Sequence, residues 1–254
     1  MKVLRHIVVL LLAVVCPTAY AANDSDGADT ILFYGGALVE RLLESGELEA
    51  RLQLASPVKA IHIRGLAWTG DEVGHRLRPE GYASHLKSTL ALWPAKTVVI
   101  GFGNNEAFAG ESGLPQFKKD WDSFFREIQR LHPNAKVFLL SPIATQSTRS
   151  FDAGAHNRKV ALYANAIEQI AKEKGAVYVD LFHASAEEFA RNERPLTTFG
   201  VHLNPDGARA VGKVVARALE PAKGMDALDE KRVREVALAA AQRAEVASSP
   251  LAFV

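Results

Sequence analysis

The chain has 254 residues, 48% hydrophobic and 23% charged, which leaves room for one α/β domain of about 200 residues with short extensions. Its 30 basic and 29 acidic residues nearly cancel, which excludes the basic footprint of a nucleic-acid binder. One cysteine rules out an internal disulfide, and the eight histidines are scattered with no pair at the helical spacing of a zinc site.

At the N-terminus, Lys2, Arg5 and His6 precede an apolar run over 7–15, and Ala19-Tyr20-Ala21 then offers small residues at the spacing a signal peptidase reads. Residues 1–21 are expected to be a cleaved secretory signal, its apolar run too short for a spanning helix. The mature protein is then secreted or periplasmic, with no stable membrane span. Cys16 sits inside this signal behind Val15, where a lipoprotein signal would want a small residue, so the mature chain has no cysteine. Loss of Lys2 and Arg5 brings the net charge to about −1. Residues 22–29 form a polar leader.

From there short β-branched runs alternate with longer segments of helical period. Strands are expected over 30–34, 60–64, 97–101, 136–140 and 176–181. Each is nearly all apolar, which means burial on both faces, as in a parallel sheet covered by helices. Helices are expected over 37–54, 82–92, 114–131, 155–174 and 204–219. In the fourth, Val160, Leu162, Tyr163, Ile167 and Ile170 recur at the spacing of a core-facing stripe. Strand–helix repetition of this kind gives a three-layer α/β/α sandwich with a five-stranded parallel sheet, here one domain over 30–220. The tail, 221–254, is charged and alanine-rich. Its helix carries an apolar stripe of Val233, Val236, Ala237 and Ala240, expected to dock on the domain, with binding to a protein partner as the alternative.

Ligands of such sheets bind at the carboxyl ends of the strands, so the residues delivered there matter most. They are Gly35-Gly36-Ala37, then Leu66-Ala67-Trp68-Thr69-Gly70-Asp71-Glu72, then Gly101-Phe102-Gly103-Asn104-Asn105-Glu106, and finally Gly200-Val201-His202-Leu203-Asn204-Pro205. Taken singly, Gly35 and Gly36 read as a tight turn needing positive φ. Asn105 reads equally as a helix cap, His202 as a structural histidine, and Arg64, Trp68 and Arg76 as core and rim. The run GFGNNEAFAG lacks the lysine of a phosphate-binding loop and the spacing of a dinucleotide fingerprint, so neither a cofactor nor a metal is expected.

In their joint order these segments resemble the four blocks of the SGNH, or GDSL-type, hydrolase superfamily, over about residues 30–219. The resemblance implies a flavodoxin-like sandwich and ester or acyl-transfer chemistry, in which a serine attacks a carbonyl and a histidine serves as its base. It implies His202 as that histidine, and an oxyanion hole made of Gly70, the Asn105 amide and the backbone N–H of residue 37. Aligned on Gly35, however, the family's aspartate falls on Gly36 and its serine on Ala37. The acid expected three residues before His202 falls on Phe199, and a one-residue slip gives Thr198. The expectation is a pseudoenzyme: a retained oxyanion hole beside a vestigial His202 and a degenerate Ala37, binding a small-molecule, ester or glycan-like ligand. Two alternatives are an active ester hydrolase with a displaced nucleophile, for which Ser141, Thr69 and Thr198 are candidates by location, and a partner-binding scaffold.

Overall fold

The computed structural model describes residues 29–56, 60–78, 80–81, 95–220 and 225–248, with side chains of the last helix described to residue 241. The expected signal, most of the leader and the helix expected over 82–92 lie outside the described residues.

Five strands form one parallel sheet: β1 (Asp29–Gly35), β2 (Ile61–Ala67), β3 (Thr97–Gly101), β4 (Lys136–Leu140) and β5 (Val177–Val179), in the order β2-β1-β3-β4-β5. Side chains alternate across a strand, so each central strand feeds both faces. Leu32, Tyr34, Val98, Ile100 and Leu139 pack against α3 (Leu114–Leu131) and α4 (Gly154–Lys174). Ile31, Phe33, Val99, Phe138 and Leu140 pack against α1 (Ala37–Glu44), α2 (Glu47–Ala55) and α6 (Pro205–Leu219). This is the three-layer α/β/α sandwich, and the strand order is the flavodoxin-like one.

The departures from the sequence expectations have local causes. The segment 37–54 is two helices, because Gly46 adopts φ 65° between α1 and α2. A Cβ there would stand 2.6 Å from the Ala237 carbonyl oxygen, so the glycine also admits the C-terminal helix. The last strand stops at Val179, since Asp180 accepts the His183 N–H at 3.0 Å and caps a helix not expected from the sequence, α5 (Leu181–Arg191). A two-stranded antiparallel hairpin, β6 (Thr197–Thr198) and β7 (His202–Leu203), precedes α6.

The tail helix α7 (Glu230–Ser248) lies on α2. Val233, Ala237 and Ala240 are buried, Val233 and Ala237 in one cluster with Ala50. Arg51, itself buried, donates to Glu230 at 2.6 Å, and Lys213 reaches the same carboxylate at 2.9 Å. The bond from Arg51 is the largest influence holding the Glu230 carboxyl down at about 2. The apolar stripe thus faces the domain. Among the described residues no helix is long and apolar enough to cross a membrane.

Candidate active site

Strand order reverses between β1 and β3, where a doubly wound sheet opens its binding crevice. Gly35 and Gly101 end these strands in register. A Cβ on Gly35 would lie 2.5 Å from the Gly101 carbonyl oxygen, and one on Gly36 would lie 2.7 Å from the Asp71 carbonyl oxygen. Neither glycine has positive φ, which corrects the turn reading: both are required by close backbone approach. The loop after β2 lies where a side chain at position 36 would start.

The cavity at this point has a volume of about 170 Å³, and Ala37, Asn105 and His202 all line it. Gly70 does not. It is exposed with φ 93°, and its neighbour Asp71 forms that part of the wall. The three hydroxyls proposed from location are also absent from the lining. Ser141 is fully buried, its oxygen accepting from the Leu181 and Phe182 N–H groups at 2.8 and 2.9 Å and donating to the Pro142 carbonyl. Thr69 is exposed, and Thr198 is the exposed cross-strand partner of His202. Thr145 is the hydroxyl that lines the cavity, and His156 is a second imidazole there. Sequence reasoning missed both. Neither belongs to the four blocks, and the one available signal was their position in the loop after the fourth strand and at the start of the helix that follows.

Reciprocal side-chain amides fix the walls. Asn104 donates to the Ile143 carbonyl at 3.1 Å and accepts the Ile143 N–H at 3.2 Å. Asn157 does the same with Thr145, at 2.9 and 2.7 Å. Gln146 accepts from the Leu196 N–H and the Thr197 hydroxyl, and its own N–H donates to the Gly200 carbonyl, so the loop after β4 holds the hairpin that carries His202. Glu106 joins the two remaining loops, accepting the Val73 and Gly103 N–H groups, both at 2.9 Å. Burial pushes its carboxyl up to about 7 against the lowering effect of those bonds.

Ala37 opens α1, and its N–H has no acceptor among the described residues, as expected of a first helical turn. Asn105 precedes a 3₁₀ segment, Glu106–Gly113, yet its side chain makes no capping bond. The amide and the N–H are therefore both available to a polar ligand atom, and the helix terminus favours negative charge. Among the described residues the His202 ring has neither a hydroxyl nor a carboxylate as hydrogen-bond partner.

The GDSL-like lipase/acylhydrolase family matches residues 39–210. The chain belongs to that family. The family match begins two residues after Ala37, so the turn that departs from the first block lies just outside it. Solved structures agree on the fold. An acetyl-xylooligosaccharide esterase mutant from Geobacillus stearothermophilus superposes with a TM-score of 0.60 at 17% identity, over 76% of this chain and 95% of that one. A catalytic mutant of an acetylxylan esterase from the same organism gives 0.59 at 17%, with the same coverage. An alpha/beta hydrolase from the metagenome of Lake Arreo, Spain, gives 0.57 at 14%, again over 76% and 95%. No curated protein matches the sequence.

Proposed function

We propose that this protein is a secreted, hydrolytically impaired member of its family, which binds a small acylated, carbohydrate-like ligand with the cavity at the β1–β3 switch point. The observation that carries the reading is Ala37: a methyl group at the head of α1, in a wall shared with Asn105 and His202. A methyl group cannot attack a carbonyl. The Ala37 N–H and the Asn105 amide supply donors for a carbonyl oxygen, and such a hole with binding alone retains about 10³-fold catalysis over water in enzymes stripped of their triad. The likeness in fold to acetyl-xylooligosaccharide and acetylxylan esterases supports an acylated sugar as ligand.

The test is steady-state hydrolysis of p-nitrophenyl acetate by wild type and His202→Ala, with fluorophosphonate labelling alongside. The expected result is a wild-type rate no more than about 10³ above background. It should barely change in His202→Ala, and no label should be incorporated. Robust turnover abolished by His202→Ala would overturn the reading in favour of a displaced nucleophile. Thr145 would then be the first hydroxyl to remove, because it lines the cavity.

A further inference from the structure

Beside the cavity stands an aromatic pair that none of the four blocks includes. Phe108, on the 3₁₀ segment after β3, is 62% exposed. It stacks on His156, in the first turn of α4, with ring centroids 4.4 Å apart and planes inclined by 34°. Both residues line the cavity. The Tyr163 hydroxyl, two turns along α4 from His156, donates to the Gly110 carbonyl at 2.9 Å, tying the 3₁₀ segment to that helix. Asn157, next to His156, is held by its paired bonds to Thr145. The segments that carry the pair are thus anchored on both sides, and an exposed ring on an anchored segment, stacked on a neighbour, is a binding surface bought at little entropic cost.

The surroundings select among ligands. At about 170 Å³ the cavity is below the several hundred Å³ of a pocket that encloses a drug-sized ligand, so it admits a small group and leaves the rest outside. Asn105, Glu106 and Thr145 in its walls interrupt any apolar channel that a long acyl chain would need. A pyranose ring has the complementary chemistry: one face of C–H bonds for the negative face of an aromatic ring, and hydroxyls at its edge that both donate and accept. A neutral imidazole also donates and accepts. Burial, and then the nearby Lys159 ammonium, hold the His156 ring below the usual histidine value, which favours that neutral form.

We propose that the Phe108–His156 pair is a platform for a pyranose ring whose acetyl-sized ester enters the cavity toward Ala37 and Asn105. This rests on reading the cavity as a ligand site.

The experiment is isothermal titration of the full chain with three probes: an acetylated xylo-oligosaccharide, triacetin as an acetyl ester without a sugar ring, and a p-nitrophenyl decanoate analogue carrying an amide in place of the ester. The acetylated oligosaccharide should bind at least about ten-fold more tightly than triacetin. Phe108→Ala, at a mostly exposed position that leaves the fold intact by circular dichroism, should weaken the oligosaccharide about ten-fold and triacetin less than two-fold. His156→Ala should weaken the oligosaccharide likewise. Unchanged oligosaccharide binding in Phe108→Ala overturns the platform while triacetin binding preserves the cavity reading. Tighter binding of the decanoyl probe than of the sugar ester also overturns it. Wild type that binds neither acetyl ester removes the cavity reading, and the platform with it.

Discussion

Phe199 should be a position where the protein is less stable than its own fold allows. Phe199 and Gly200 have φ of 54° and 81°, and the Val201 N–H closes the turn on the Thr198 carbonyl at 3.3 Å. Positive φ at both central residues of this turn is the type I′ pattern, which favours Asn-Gly. A bulky residue in the left-handed region costs about 1–2 kcal/mol. Little offsets that cost, because the ring is 85% exposed. Burying the remaining sixth or so of an aromatic side chain contributes only about 0.5–1 kcal/mol. Phe199→Asn relieves the backbone cost and should stabilise by about 1 kcal/mol, raising Tm by about 2–4 °C for a domain of this size. Phe199→Ala keeps the backbone cost and loses the contact, so it should be neutral or slightly destabilising. Differential scanning calorimetry of the three proteins decides the matter. A lower Tm for the asparagine variant, or equal Tm for both variants, would show that the ring holds the hairpin by packing and that the turn argument is wrong.

Two further predictions concern the loops and the tail. The Glu106 carboxyl, at about 7 in the folded chain and near 4.3 unfolded, binds more protons folded than unfolded between those values. Its contribution is therefore fully present below about pH 4.3 and lost as pH rises through about 7, a loss of order 3 kcal/mol. Urea unfolding at pH 5 and pH 8 should show wild type losing more stability over that interval than Glu106→Gln, and equal losses would refute the linkage. Val233 is fully buried where α7 meets α2, so Val233→Ala should cost about 2 kcal/mol by thermal unfolding, whereas a tail held for a partner would show no cost.

The sheet was legible because both-face burial leaves a nearly continuous apolar run, and the strands at 97–101 and 136–140, apolar after a polar first residue, match their expected bounds to the residue. The ends of elements were less so. The break at Gly46 depends on a helix nearly two hundred residues away, and the α5 helix hides behind Asp180, which ends an apolar strand and begins a helix in one step. At the site, Ala37, Asn105 and His202 were readable because a local motif marks each. Thr145, His156 and Phe108 come together only through tertiary structure, and none of the three is itself a motif residue. That Asp71 and not Gly70 lines the cavity was hidden for a related reason. A backbone donor has no side-chain signature, and one residue of loop geometry decides which group faces the cavity.

On the proposed reading, raising hydrolysis takes more than one substitution, and the structure orders the steps. Ala37→Ser supplies an oxygen to the cavity that Asn105 also lines, but the His202 ring has no carboxylate among the described residues to orient it. In a serine-protease triad, replacing that carboxylate costs about four orders of magnitude. Thr198 is directly across the hairpin from His202, and cross-strand Cβ atoms lie about 4.5–5.5 Å apart on one face, within reach of a short carboxylate. Phe199 is at the tip of the turn with its side chain in solvent. Thr198→Asp should thus support Ala37→Ser better than Phe199→Asp does, and by more than the product of the single effects, because triad members act as a unit. Gly36→Asp, which restores the remaining residue of the family's first block, should destabilise the chain without raising the rate, since its Cβ would press on the Asp71 carbonyl. Rates of p-nitrophenyl acetate hydrolysis across these variants test the order. An equal or larger gain from Phe199→Asp would mean that the hairpin presents position 199, not 198, to the imidazole. A gain from Gly36→Asp would mean that the loop after β2 yields, and that the close approach at Gly36 is no barrier to hydrolysis.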